Sequence, residues 1–321
     1  MTMTVQYYDI KFKPFNHHLT CPIEVNGTQI SLRKGFYCYI LIKDTVMGVG
    51  EIAPLPGLSK ETLDDVKEEL SKLTGIKLPI KPSPFEQRYV PIFSKLPSVQ
   101  FGIEAAIVMA LSSPSSLKCH QFIESLQTAP TSYPSPIIKF KIGRAPMQDE
   151  LNLIKRILKQ NNSIKFRFDA NHNLSLSDAK TFFKDVPNHH IDYIEAPCKT
   201  HQEEILFERE TKLPIAIDTP DDITSIPAYC QHLVIKPMII GSVFNYLNQI
   251  PKHVTCIFSS SYESIIGLTG IANIAHYISP EDYHGLNTNH IFNHAPKNQL
   301  PYLKALSVTE SLNWINTYGS S

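Results

Sequence analysis

The chain has 321 residues, enough for a large core and for one big domain or two. Its 30 Lys and Arg balance 30 Asp and Glu, so the net charge gives no reason to expect a nucleic acid or an anionic membrane surface as partner. There is no long apolar run of membrane-spanning length and no leader-like segment. The six cysteines form no CxxC pair, which together sets the expectation of a cytoplasmic protein with reduced thiols.

Residues 1–53 read as antiparallel strands, VQYYDIKFKPF, GFYCYILIKD and TVMGVGEIAP, with a turn at Asp44–Thr45. The loop LPGLS follows. Ser59 is the expected N-cap of a helix over KETLDDVKEELSKL, with Thr62 at N3. The proline-rich stretch 78–91 predicts a loop and a boundary, and 97–113 an apolar helix. These features divide the chain into an α+β domain over 1–95, completed by about 290–321, and a second domain over 96–289. The tail SLNWINTYG, with the only tryptophan, is expected to pack back on the first domain.

The second domain is organised around IIKFKIG at 137–143. Lys139 and Lys141 lie two apart, so both project from one face of a strand, with Ile138, Phe140 and Ile142 on the other. Taken alone, the run also fits an edge strand with a solvated face. Three further apolar runs each end in an acid, at Asp169, Glu195 and Asp218, and a fourth, HLVIKPM, carries Lys236. From Lys141 the intervals are 28, 26, 23 and 18 residues, and helical patterns such as MQDELNLIKRILKQ lie between; strand–helix repeats of this length predict βαβ crossovers and a parallel barrel or open sheet. The last interval is short for a full crossover. Buried parallel strands are normally almost wholly apolar. Here charge gathers at the C-terminal strand ends, the mouth of a (β/α) barrel. Converging carboxylates repel by several kcal/mol, about 4 at 4 Å and an effective dielectric near 20, so they must protonate or bind a cation. Oxygen-only ligands favour Mg²⁺ or Mn²⁺ over zinc. N-capping of the following helices is the plainer alternative for each acid.

The ladder KFK, FDAN, IEAP, AIDT and VIKP resembles the enolase superfamily, in its muconate-lactonizing subgroup. GEIAPLPGLSKETLDD, SVQFGIEAA and SSSYESIIGLTGIANIA extend the likeness over most of the chain, toward the branch that dehydrates 2-succinyl-6-hydroxy-2,4-cyclohexadiene-1-carboxylate in menaquinone synthesis. The resemblance implies an α/β fold, a modified (β/α)7β TIM-type barrel with an N-terminal α+β capping domain. It implies a carbon–oxygen lyase that binds a small carboxylate and Mg²⁺, with Mn²⁺ as substitute, and works through a metal-stabilised enediolate. Asp169, Glu195 and Asp218 match the metal ligands. Lys141 matches the base that later returns its proton, and Lys236 the opposing cation. Lys139 is assigned to bond Lys141 or a substrate oxygen and to disfavour a charged Lys141.

Around this set, Arg167 reads either as a group that orients the acids or as a plain ion pair, and Asn171 as support for the metal shell. Ser260 and Ser261, at a strand end and helix start, suit a substrate carboxylate or simple capping. Leu58 and Ser59 either cover the substrate or only pack their loop. His172, His189 and His190 read as solvated loop residues. The nearest rival keeps the site and changes the reaction, to an N-succinylamino acid racemase or dipeptide epimerase with Lys141 and Lys236 on opposite faces. A non-catalytic barrel is the remote alternative, and monomer and dimer both stay open.

Overall fold

The structure is a computed structural model that describes residues 6–80, 90–127, 129–220, 223, 226–293 and 301–319. It begins with an antiparallel sheet of β1 (Gln6–Val25), β2 (Thr28–Ile42), β3 (Thr45–Ile52) and β4 (Lys77–Ile80), in the order β3-β2-β1-β4. β1 and β2 run on well past the expected strands. Asn26 and Gly27, at φ 45° and 79°, make the two-residue turn that joins them. Helix α1 (Leu63–Leu73) starts one turn later than expected. Its N-cap is Thr62, which accepts from the Asp65 amide while Asp65 reaches back to the Thr62 amide, and Ser59 instead accepts from the Leu55 amide at 2.8 Å. An acid at N3 completes a capping box at Thr62, which Ser59 with Thr62 at N3 lacks. Within the 78–91 stretch, Leu78–Ile80 belongs to β4 rather than to a loop, because it pairs with Gln6–Tyr8; residues 81–89 lie outside the described ones.

Helix α2 (Pro97–Leu111) is buried on nearly every side. Gly48 and Gly50 of β3 let it approach: a Cβ on either would run into the carbonyls of Ala106 and Gly102. The same core continues into the barrel through α8 (below), whose Gly270 faces Ala105.

The chain then lays down β5 (Ser116–Cys119) and β6 (Gln121–Ile123), followed by alternating parallel strands and helices. These are β7 (Ile137–Lys141), α3 (Met147–Gln160), β8 (Lys165–Asp169), α4 (Leu176–Lys184), β9 (Ile191–Glu195), α5 (His201–Thr211) and β10 (Ile215–Asp218). β11 (Cys230–Ile235), the short α6 (Pro237–Ile240) and α7 (Val243–Leu247), β12 (Thr255–Phe258) and α8 (Ile265–Ile278) complete the run. No α-helix is described between β10 and β11, in line with the short interval there. β6 to β12 form one seven-stranded parallel sheet in sequence order.

The curled sheet closes through β13 (Tyr283–His284), which pairs parallel with β5. The Gly285 amide donates to the Phe258 carbonyl at 2.8 Å, and the Ser260 amide to the Gly285 carbonyl at 3.0 Å. His284 is fully buried in this seam. Its Nδ1 accepts from the Phe258 amide and its Nε2 donates to the Ser279 carbonyl, a neutral tautomer, and burial pushes its pKa down to about 4. β14 (Tyr302–Lys304) joins β5 on its other edge. Helix α9 (Val308–Tyr318) returns to β3, with Trp314 edge-on to His17 at 5.4 Å. No described helix is long and apolar enough to cross a membrane.

Candidate active site at the barrel mouth

Strand register assembles the charged ladder. Lys141 pairs with Asp169, Asp169 with Glu195, and Ala216, two residues before Asp218, with Glu195. The opposite faces of β7 and β8 (Ile138, Phe140, Phe166, Phe168) are fully buried against the helices, which turns the charged face inward. Left-handed backbone follows three of the strand ends: Asn171 and His172 at φ 47° and 59°, Ala196 at 43°, Thr219 at 39°. Non-glycine residues held there carry strain of order 1–3 kcal/mol each, which surrounding structure must support.

Lys139 sits among the acids. Its ammonium donates to both oxygens of Glu195, at 2.8 and 2.7 Å, and lies 3.2 Å from Asp169. Burial opposes the charge, but Glu195 and Asp169 overcome it and hold the Lys139 pKa well above its usual value. Glu195 is 2% exposed. Burial pushes its carboxyl up to about 7; Lys139 opposes the shift, and Asp169 and Asp218 add to it. Lys236, at the end of β11, pairs with Asp218, whose other oxygen accepts from Thr219 at 2.9 Å. Burial would raise the Asp218 carboxyl, and Lys236 and Lys139 outweigh it. Its side chain is still 39% exposed to the mouth.

Lys141 differs from its neighbours. It makes no described ion pair, and its ammonium lies 5.5 Å from the centre of the Phe122 ring. Its pKa is lowered, as a base requires, chiefly by burial; Arg144 and Lys139 push the same way against Asp169 and Glu124. The expected like-charge effect of Lys139 is present but is the smallest of these. Lys139 is committed to Glu195 and Asp169 rather than bonded to Lys141.

Asn171 touches Asp169 through both its side-chain amide and its backbone amide. Arg167 does not orient the acids. It is 3% exposed, donates to Asp192 at 2.7 Å and to the Tyr283 carbonyl, and stacks 4.8 Å from the Tyr193 ring. A bulge between Phe166 and Arg167 turns Asp192 toward it, so Arg167 forms a layer beneath the mouth. His172 is exposed, as expected, but His190 is 8% exposed and bonds the Ile164 carbonyl at 2.8 Å. A short helical turn tucks it under the strands, which its polar neighbours conceal.

Ser260 donates to Glu263 at 2.7 Å and accepts from Thr288 and from the Tyr262 amide. The Ser261 amide also donates to Glu263, at 2.7 Å. The serines are therefore tied into their own loop, with the buried Ser261 hydroxyl unpartnered among the described residues. Leu58 and Ser59 bond back to the Leu55 carbonyl, and Leu58 packs against the buried cluster of Leu19, Ile30, Leu55 and Phe292, as does Tyr262. Sequence reasoning missed the buried group that joins the two parts of the chain here. Arg33 and Glu51 come from the first sheet, Glu263 and Ser264 from the barrel.

The chemistry of the donor set fits a divalent cation: three carboxylates on adjacent strand ends, oxygen ligands only, with Asn171 fixing one of them. As the side chains stand, no three His, Cys, Asp or Glu groups converge on one ion position among the described residues. Lys139 and Lys236 hold the oxygens that such an ion would take. A cavity of about 510 Å³ lies away from the ladder, lined by Leu247 at the end of α7, Thr255 and Cys256 of β12, and Ser279 and Asp282 after α8.

Residues 13–110 match the family described as MenC, N-terminal domain. The o-succinylbenzoate synthase of Pasteurella multocida (strain Pm70) is 30% identical over 275 residues, 76% of this chain and 79% of that one. Among solved structures, o-succinylbenzoate synthase from Thermosynechococcus elongatus BP-1, complexed with Mg in the active site, superposes with a TM-score of 0.70 at 22% identity, covering 95% of this chain and 98% of that one. The L-Ala-D/L-Glu epimerase from Bacillus subtilis gives 0.69 at 16% identity, covering 94% and 96%. At these identities the two structures speak for the fold: a capping domain on a modified (β/α) barrel. With a relative at 30% identity matched over most of both chains, and the N-terminal family pattern in place, the chain belongs to the o-succinylbenzoate synthase family.

Proposed function

We propose that this chain is a metal-dependent dehydratase that converts 2-succinyl-6-hydroxy-2,4-cyclohexadiene-1-carboxylate to 2-succinylbenzoate, in the cytoplasm, as a step of menaquinone synthesis. The observation that carries the reading is the division of labour among three lysines. Lys139 is fixed on the acids, Lys236 is paired with Asp218, and Lys141 is left with a lowered pKa at the same mouth.

Asp169, Glu195 and Asp218 would hold the metal, Mg²⁺ by preference for oxygen ligands with Mn²⁺ as substitute. A divalent cation supplies Lewis acidity to the substrate carboxylate. The chain's own groups do the rest. Lys141, neutral, takes the proton from the carbon beside the carboxylate. Lys236 places a fixed positive charge where negative charge develops. Lys141 then gives its proton to the departing ring hydroxyl, which leaves as water. Lys139 holds a fixed positive charge against Glu195 and Asp169. The capping segment at Leu58–Ser59 and the loop at Ser260–Tyr262 line the way in.

The test is to supply the purified protein, with Mg²⁺, either the cyclohexadiene or an N-succinyl amino acid in D₂O. Aromatisation of the first is expected. Exchange at the α-carbon of the second without aromatisation of the first would move the assignment to an epimerase using both lysines.

A further inference from the structure

Arg33 is 2% exposed and lies on β2 of the capping sheet, far in sequence from every residue of the ladder. Among the described residues its guanidinium makes three hydrogen bonds, all to backbone carbonyls. Nη2 donates to Ala53 at 2.8 Å, Nη1 to Pro54 at 2.9 Å, and Nε to Tyr262 at 3.1 Å. Ala53 and Pro54 lead into the capping segment that carries Leu58 and Ser59. Tyr262 follows Ser260 and Ser261 directly in the barrel loop. Tyr262 is also left-handed, at φ 61°, a costly conformation for an aromatic residue. One side chain thus grips both walls of the mouth and holds the strained one in place.

The surroundings make this a specific device rather than a solvated arginine. Burial lowers the Arg33 pKa, and Glu51 and Glu263 oppose it. Glu51 in turn accepts from the amides of Ser264 and Gly267 at the start of α8, both at 3.1 Å, so the capping sheet is anchored to the same loop twice. Tyr262 and Leu58 pack against one buried cluster of Leu19, Ile30, Leu55 and Phe292, and the Tyr262 phenol lies within the fields of Glu124, Arg144 and Lys139 on the barrel side.

We propose that Arg33 is a positioning residue for substrate binding: by tying the Ala53–Pro54 carbonyls to the Tyr262 carbonyl it sets the Leu58–Ser59 segment and the Tyr262 ring as one wall over the catalytic lysines. The planar fork matters more than the charge. A lysine ammonium is a single point of charge and cannot reach carbonyls on two segments in the same geometry. The kinetic part of this proposal rests on the dehydratase reading above; the structural part does not.

The experiment compares wild type with Arg33→Lys and Arg33→Met in the full chain. In Arg33→Lys, which keeps a buried cation, KM for the cyclohexadiene should rise about tenfold while kcat changes by less than about threefold. Amide hydrogen exchange should quicken about tenfold in the peptides spanning 54–62 and 260–263 together, with 137–141 unmoved. Arg33→Met should show the same pattern, enlarged. An Arg33→Lys protein with wild-type KM and exchange would overturn the proposal, since charge alone would then suffice. So would quickened exchange in only one segment, or an Arg33→Lys chain that does not fold, which would assign Arg33 to stability alone. If the wild type does not turn over the cyclohexadiene, the dehydratase reading fails by itself, and the paired exchange still decides for or against the clamp.

Discussion

Lys139 donates to both carboxylate oxygens of Glu195, at 2.8 and 2.7 Å, from a strand two places away in the sheet. Two buried groups neutralise each other there, and neither is free to titrate alone. Removing one charge leaves the other buried without its counterpart, the costly case.

Glu195→Gln keeps the shape and removes the charge. Mg²⁺ binding should weaken, and turnover at saturating metal should fall at least about a hundredfold, roughly 2.7 kcal/mol or more of transition-state stabilisation. Metal titration by calorimetry and steady-state rates read the two effects separately. Unchanged turnover at saturating Mg²⁺ would remove Glu195 from the site.

The lysines separate by substitution. Lys141→Arg keeps a cation but cannot act as a base, because a guanidinium stays protonated. Dehydration should vanish. Lys236→Arg keeps the charge that role requires and should leave a measurable rate, with Lys236→Ala well below it. A dead Lys236→Arg beside an active Lys141→Arg would reverse the two roles.

That Lys139, Lys141, Asp169, Glu195, Asp218 and Lys236 gather at one set of strand ends was legible in the sequence, because polar side chains on otherwise apolar parallel strands have few inexpensive explanations. Helix α3 was read to the residue, since its acids and its apolar spacing agree. Arg33 and Glu51 carry no such mark. Each is one charged residue in an amphipathic strand, and its partner on the barrel loop arrives more than 200 residues later. Of the two readings open for Arg167 the structure shows the ion pair, and its partner Asp192 could not be named in advance because a bulge with no signature in the hydrophobic pattern supplies it. The turn at Asn26–Gly27 was in plain view, yet the polar residues around it hide the strands it joins.

The seam histidine predicts acid sensitivity of known sign. An unfolded histidine titrates near 6.5, while His284 is held at about 4. Between these values the unfolded chain binds the extra proton, so stability is lost as pH falls from 6.5 toward 4, by on the order of 3 kcal/mol. Glu51 and Glu104, each raised to about 7 by burial, act oppositely and lose stability as pH rises from the ordinary carboxylate range to 7. His284→Gln isolates the first effect. Its urea midpoint should be lower than wild type at pH 7.5, and the gap should narrow by pH 4.5. A constant gap would mean that His284 does not sense pH.

Gly50→Ala should destabilise the whole chain by roughly 1–3 kcal/mol, because the new methyl meets backbone on α2 and cannot be relieved by a rotamer change. A thermal melt should show one transition, lowered. A melt at the wild-type temperature would mean that β3 and α2 are further apart than described.

Helix α2 belongs to the capping sheet and to the barrel at once, since one continuous core contains Val49 and Ile52 of the sheet, Phe101 and Ala105 of the helix, and Leu268 and Ile271 of α8. A chain cut near residue 95 would therefore divide a shared interior and leave neither fragment a complete one. For the engineer, this rules out a modular exchange of caps between related barrels. A new lid needs a new α2 with it, so a change of substrate would come more easily from point changes along the mouth than from transplanting a domain.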